Sequence, residues 1–188
     1  LSLFEMSNVY GKDQVNQHLG IVMAGSLQKS RVHKIDIKSN FYTLKGIVES
    51  VLATFGFEGT RIKVKENTID TVHFHPYASA CVYLGKDLFG IFGAIHPTMA
   101  KKYDVTKDTV MLEANLEVLL SNKASKVRFE GISKYPAVTR DLAFVVKKEV
   151  KVGDIVDSIR RCGKAIIKNV EVFDIYTGEH VASDSKSI

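Results

Sequence analysis

The chain changes character once, and that break limits what it can fold into. Ser121-Asn122-Lys123-Ala124-Ser125 holds no apolar side chain larger than alanine, and the stretch beyond it is basic and carries Pro136 before an apolar run opens at Leu142. A segment without apolar side chains cannot join the core on either side of it, so each flank must bury its own. With 188 residues, 45% hydrophobic and 25% charged, the chain can supply one good core or two small ones. We therefore expect a part spanning 1–121, a linker over 122–140, and a second part over 141–188.

In the first part, residues 1–10 and 18–24 are rich in β-branched and aromatic side chains with partial alternation, separated by Gly11-Lys12-Asp13. This pattern predicts a β-hairpin. Residues 26–39 are polar and predict an irregular surface loop. From Tyr42 to Phe55 the apolar positions Leu44, Ile47, Val48, Val51, Leu52 and Phe55 recur at steps of three and four, which predicts an amphipathic helix stopped by Gly56. Gly46 inside it costs roughly 1 kcal/mol relative to alanine, an expense that implies close packing by another backbone. Strands follow at 61–64, 79–84 and 88–95, the last two joined by Gly85-Lys86-Asp87 as a tight hairpin. Pro97 opens a short helix over 98–103, and a strand at 110–114 leads to a helical turn at 116–120.

The second part reads strand, helix, strand. Residues 142–146 form the first strand. Ile155, Val156, Ile159 and Cys162 mark one face of a helix ending at Gly163, with Asp154 and Asp157 early and Arg160 and Arg161 late, as the helix dipole prefers. Asp157 and Arg161 make an i,i+4 pair. Residues 166–176 predict the second strand and 186–188 the start of a third.

Net charge is +5, with 13 Lys and Arg against 12 Asp and Glu in residues 1–121, and 13 against 9 in residues 122–188. The excess lies mainly in the last third, which favours a polyanionic partner there. No apolar run approaches the roughly 20 residues needed to span a bilayer, and the first residues lack the basic flank of a signal peptide. We expect a cytoplasmic protein without membrane contact. Cys81 and Cys162 have no CxxC neighbour and read as reduced core or helix-end residues.

Little here points to catalysis. His73 and His75 share strand parity, and with His96 as a third ligand they would make the metal site of a His-dependent hydrolase, but no acid or cysteine completes the set; His75 and His96 instead each precede a proline and are expected to bond locally. The glycines from Gly85 to Gly93 fit neither phosphate-loop nor dinucleotide spacing and read as turn and sheet-packing residues. No serine sits in a nucleophile-elbow context. We expect no catalytic residue and no metal site.

Ile132-Ser133-Lys134-Tyr135-Pro136-Ala137-Val138-Thr139-Arg140-Asp141-Leu142-Ala143-Phe144-Val145-Val146 resembles the junction that opens the ferredoxin-fold anticodon-binding domain of bacterial phenylalanyl-tRNA synthetase beta subunits. The similarity continues through Phe173-Asp174-Ile175-Tyr176-Thr177-Gly178-Glu179, and upstream through Leu44-Lys45-Gly46-Ile47-Val48-Glu49, His75-Pro76 and Ile95-His96-Pro97. It covers nearly the whole chain in order. It departs at Tyr77-Ala78, where the family commonly places glycine and a basic residue.

The resemblance implies an α+β chain: an antiparallel-sheet, class II synthetase-like but catalytically degenerate domain, followed by an incomplete ferredoxin-like anticodon-binding domain. It implies a piece of phenylalanine–tRNA ligase, inactive alone, whose partners are the alpha subunit in an alpha2-beta2 tetramer and tRNA(Phe), with ATP and magnesium serving the whole enzyme and no cofactor in this segment. A ferredoxin-like sheet can stack bases on aromatics and meet phosphates with cations, and Lys134, Tyr135, Arg140, Lys147, Lys148, Lys164 and Lys168 are the tRNA-binding candidates. A competing reading has Tyr135 and Arg140 fixing the linker against the strand. Because the third strand of this fold lies between the first two, an ending at Ile188 predicts exposed edges at 142–146 and 166–176, hence a half-domain that is poorly packed, paired in a non-native way, or completed by another copy. The alternative function is a free-standing RNA-binding or interaction module.

Overall fold

The structure, a computed structural model, describes residues 1–124, 129 and 131–188; within the expected linker, 125–128 and 130 lie outside the described residues. Two compact units emerge, Leu1–Glu130 and Gly131–Ile188.

Unit 1 is built on a six-stranded antiparallel sheet in the order β1-β2-β8-β7-β6-β5. Its strands are β1 (Ser2–Tyr10), β2 (Val15–Met23), β5 (Ile62–Glu66), β6 (Phe74–Leu84), β7 (Asp87–Ile95) and β8 (Val110–Asn115). The expected first hairpin forms with Tyr10 opposite Val15. The β6–β7 hairpin closes through Gly85-Lys86, with Gly85 at φ +65°, where a residue without Cβ is unstrained.

One face of the sheet carries α1 (Phe41–Thr54). Asn40 caps it: its side chain accepts from the Tyr42 and Thr43 amides, while Thr43 Oγ1 accepts from the Asn40 amide. This reciprocal box satisfies amides that the first turn leaves unpaired. At the other end the Phe57 amide reaches the Leu52 carbonyl and the Gly56 amide the Ala53 carbonyl, a Schellman closure that needs the left-handed Gly56 at φ +79°. Leu44, Val48 and Leu52 are buried against Leu19, Ile21 and Met23 of β2, Leu112 of β8 and Phe92 of β7, and Phe41 stacks on Phe92 at 4.9 Å.

Two expectations fail in unit 1. Residues 26–39 are not irregular: β3 (Ser26–Ser30) pairs with β4 (Ile35–Lys38) as a separate antiparallel hairpin. Gly46 packs against no backbone; a Cβ built there would meet nothing within 4 Å. The remaining helices are α2 (Pro97–Lys102), with Pro97 in its first turn, and α3 (Glu117–Ser121).

Unit 2 contains β9 (Val145–Lys147), α4 (Val152–Gly163) and β10 (Ser185–Ser187). β10 runs antiparallel to β9, with Ser187 opposite Val145, and Ser187 also bridges Tyr176 on its other side. Residues 185–187 thus occupy the central position that was expected to be vacant. The stretch 166–176 is not a strand, because a single bridge at Tyr176 is all it finds to pair with. Arg161 is turned away from the Asp157 carboxylate and donates from Nε to the Asp157 carbonyl at 3.3 Å. No described residue of unit 2 is buried.

Candidate nucleic-acid interface

All seven tRNA-binding candidates of unit 2 are exposed. Lys134 and Tyr135 lie in an irregular segment where Ser133 Oγ donates to the Tyr135 carbonyl and accepts from its amide. The Tyr135 ring is 83% exposed, so it does not pin the linker to a strand. Arg140 Nη1 donates to the carbonyl of the adjacent Thr139 at 3.1 Å. Lys147 ends β9 and Lys148 follows it, its carbonyl taking a hydrogen bond from Lys186 Nζ at 3.0 Å. Lys164 caps α4 at φ +47°, a region unfavourable to a residue with Cβ. The preceding Gly163 lies under Ile167, whose Cδ1 would be 2.1 Å from an added Cβ. The positions thus fall into three stretches, 134–140, 147–148 and 164–168, each presenting charge to solvent.

Sequence reasoning missed Phe173. Placed in a strand, it would have had one protected face; in the irregular segment its ring is 76% exposed, available for stacking on a base. The signal for it was the lack of a partner strand long enough to hold 166–176.

On the face of the unit 1 sheet opposite α1, a shallow cavity of about 470 Å³ is lined by Glu5, His18, His73 and Glu113 among others. His18 Nδ1 stands 3.2 Å from Glu113 Oε1. His73 Nδ1 is 2.9 Å from Asp70 Oδ2, and Asp70 Oδ1 accepts from the Val72 and His73 amides. Partial burial works to raise the Asp70 pKa, but the His73 amide, the His73 ring and the Val72 amide together outweigh it and hold the carboxyl below its ordinary value. His75 and His96 bond locally, as expected: His75 Nδ1 accepts from the Tyr77 amide, and His96 caps α2 by accepting from the Thr98 amide. No group of three or more His, Cys, Asp or Glu among the described residues is placed to hold a metal. The cavity lining contains Glu5 and Glu113 and neither Lys nor Arg, which opposes a polyphosphate. No Lys or Arg of this lining is placed to meet the phosphates of ATP.

Asn67 organises the edge of that face. Its Nδ2 donates to the Asp70 carbonyl at 2.6 Å and to Ser79 Oγ at 3.0 Å, and its Oδ1 accepts from the Ile69 and Asp70 amides. The Cys81 thiol points at the same oxygen at 3.6 Å, and burial pushes its pKa up, so Cys81 is the inert core thiol its isolation predicted. Cys162 is exposed. The glycines of β7 pack the sheet as expected: a Cβ on Gly90 would lie 2.4 Å from the Glu113 carbonyl, and one on Gly93 2.4 Å from the Ala78 carbonyl. No helix of the described residues is long and apolar enough to cross a membrane.

Residues 1–116 match the family described as the phenylalanyl tRNA synthetase beta chain CLM domain, and residues 133–188 match the ferredoxin-fold anticodon binding domain. Among curated relatives, the phenylalanine–tRNA ligase beta subunit of Fusobacterium nucleatum is 33% identical over 100% of this chain and 24% of its own length. The corresponding subunits of Clostridium tetani and Aquifex aeolicus are also 33% identical, covering 99% and 100% of this chain and 22% and 23% of theirs. The chain spans about a quarter of the length of these relatives.

Proposed function

This chain belongs to the phenylalanyl-tRNA synthetase beta-chain family, and we propose that it is a subunit-assembly and tRNA-binding part of a cytoplasmic phenylalanine–tRNA ligase. The observation that carries this reading is the order of the two family matches, one on each compact unit. Unit 1 takes the assembly role. Its sheet keeps the antiparallel form, and in this reading ATP and magnesium act elsewhere in the whole enzyme and this segment alone does not aminoacylate. Its partner is the alpha subunit, in an alpha2-beta2 tetramer.

Unit 2 takes the RNA role. Lys134, Arg140, Lys147, Lys148, Lys164 and Lys168 meet phosphates, and Tyr135 offers a ring for stacking, joined by Phe173. Phosphate contacts add to affinity whatever the base sequence and show in the salt dependence.

Two measurements test this. Co-expression with a bacterial alpha subunit should yield a complex that survives gel filtration; separate elution of the two would remove the assembly role. Titration of tRNA(Phe) at several salt concentrations should show Lys134→Ala with Arg140→Ala weakening binding and lowering the salt slope by about two. An unchanged slope would strike both residues from the interface.

A further inference from the structure

The β3–β4 hairpin concentrates the positive charge of unit 1. Residues 26–38 hold four Lys and Arg against one Asp, whereas the rest of residues 1–121 holds nine against eleven. The first part of the chain, near neutral as a whole, is therefore a mildly acidic body bearing one basic projection.

The hairpin is tied at its base and unencumbered at its tip. The Ser39 amide donates to the Gly25 carbonyl at 2.7 Å. Ser26 Oγ donates to Asp36 Oδ1 at 2.8 Å, and Lys38 Nζ lies 3.0 Å from Asp36 Oδ2. The one acid is thus taken up by Lys38 and Ser26 at the closed end. Lys29, Arg31 and Lys34 remain exposed with no ion pair among the described residues, although Lys29 stands across the hairpin from Asp36 and its charge adds to the hydrogen bonds from Lys38 and Ser26 in lowering the Asp36 pKa. The turn is ordered by bonds from the Lys34 amide to the Arg31 carbonyl and from the His33 amide to Ser30 Oγ, so the cations stand on a defined scaffold.

What such a tip would bind follows from its composition. A protein interface draws its energy from aromatic or arginine anchors buried in apolar pockets; residues 26–38 contain no Phe, Tyr or Trp, and Arg31 stands exposed in the turn. Phosphate binding asks only for accessible cations held near one another. We propose that Lys29, Arg31 and Lys34 form a second RNA-phosphate contact, separate from unit 2. It rests on the reading above only for the choice of RNA as the polyanion.

The test uses the whole chain with two probes, a tRNA(Phe) transcript and an unrelated RNA of similar length. Replacing Lys29, Arg31 and Lys34 together by Ala should weaken both and lower the salt slope by about two to three, while Lys29→Arg with Lys34→Arg should retain the slope. Circular dichroism on each variant keeps a folding defect from passing as lost binding. A triple variant with the parent's affinity and slope overturns the proposal. So does loss of affinity at an unchanged slope, since that is not lost phosphate contact. If the unit 2 substitutions alone lower the slope, the hairpin inference falls and the unit 2 assignment stands; if only the hairpin substitutions do, the reverse holds.

Discussion

At the scale of single residues, the informative groups in unit 1 are those whose partners are fixed by geometry. Asp70 receives two backbone amides and the His73 ring, and its pKa lies below the ordinary 3.8. A depressed carboxyl binds its proton less readily in the folded state than in the unfolded one, so stability rises with pH across the gap. Its contribution is fully present above about pH 4 and is lost as pH falls through the lowered folded value. We expect urea midpoints for unit 1 to drop on acidification below pH 4, and Asp70→Asn to remove part of that drop while lowering the midpoint at neutral pH. An acid profile identical in the variant would mean that Asp70 is not the group responsible. Sequence alone offered no route to this cluster: His73 could be weighed only as a ligand beside His75, because the fold of the 67–73 turn, set by the buried Asn67, decides which acid it meets.

At the scale of elements, what the sequence revealed depended on whether an apolar face had somewhere to go. The α1 stripe, β2 and the β6–β7 hairpin are legible because burial enforces their periodicity, whereas β1, exposed along its whole length, is legible from its β-branched and aromatic content and α2 from Pro97. The β3–β4 hairpin is held by its own pairing and a polar base, so Ser26-Leu27-Gln28-Lys29-Ser30 carries no burial pattern to read. The 166–176 segment fails in the opposite sense, with strand-like side chains and nothing to pair with. Glycine in regular structure divides similarly, and two substitutions of one type should act with opposite sign. Gly46→Ala adds a methyl into open space on α1 and should stabilise unit 1 by roughly 1 kcal/mol. Gly90→Ala drives the same methyl to 2.4 Å from the Glu113 carbonyl and 2.8 Å from Ala114 Cα, both backbone atoms that cannot yield without opening the β7–β8 pairing, and should destabilise by about 1–3 kcal/mol. Chemical denaturation of both variants checks this. A destabilised Gly46→Ala would restore the sequence expectation that something packs there.

For the whole molecule, the contrast between the units determines how the chain opens. Unit 1 has a contiguous core in which Leu44, Leu52 and Phe92 are fully inaccessible, so its amides should exchange only through large, cooperative openings. Unit 2 has α4 with no buried residue and two three-residue strands. A helix of that length is marginal in water without an apolar face to bury, and local openings of such regions cost little free energy. Hydrogen exchange should therefore find α4 and β9 weakly protected and α1, β7 and β8 strongly so. An RNA that contacts unit 2 selects its ordered form and must add to that form's stability, so tRNA(Phe) should raise protection in α4 while leaving α1 unchanged. Strong protection of α4 without RNA would show a core that the half-buried Ile155 and Ile159 do not provide. Saturation with tRNA and no gain in α4 would move the RNA contact off the helix and its flanking lysines.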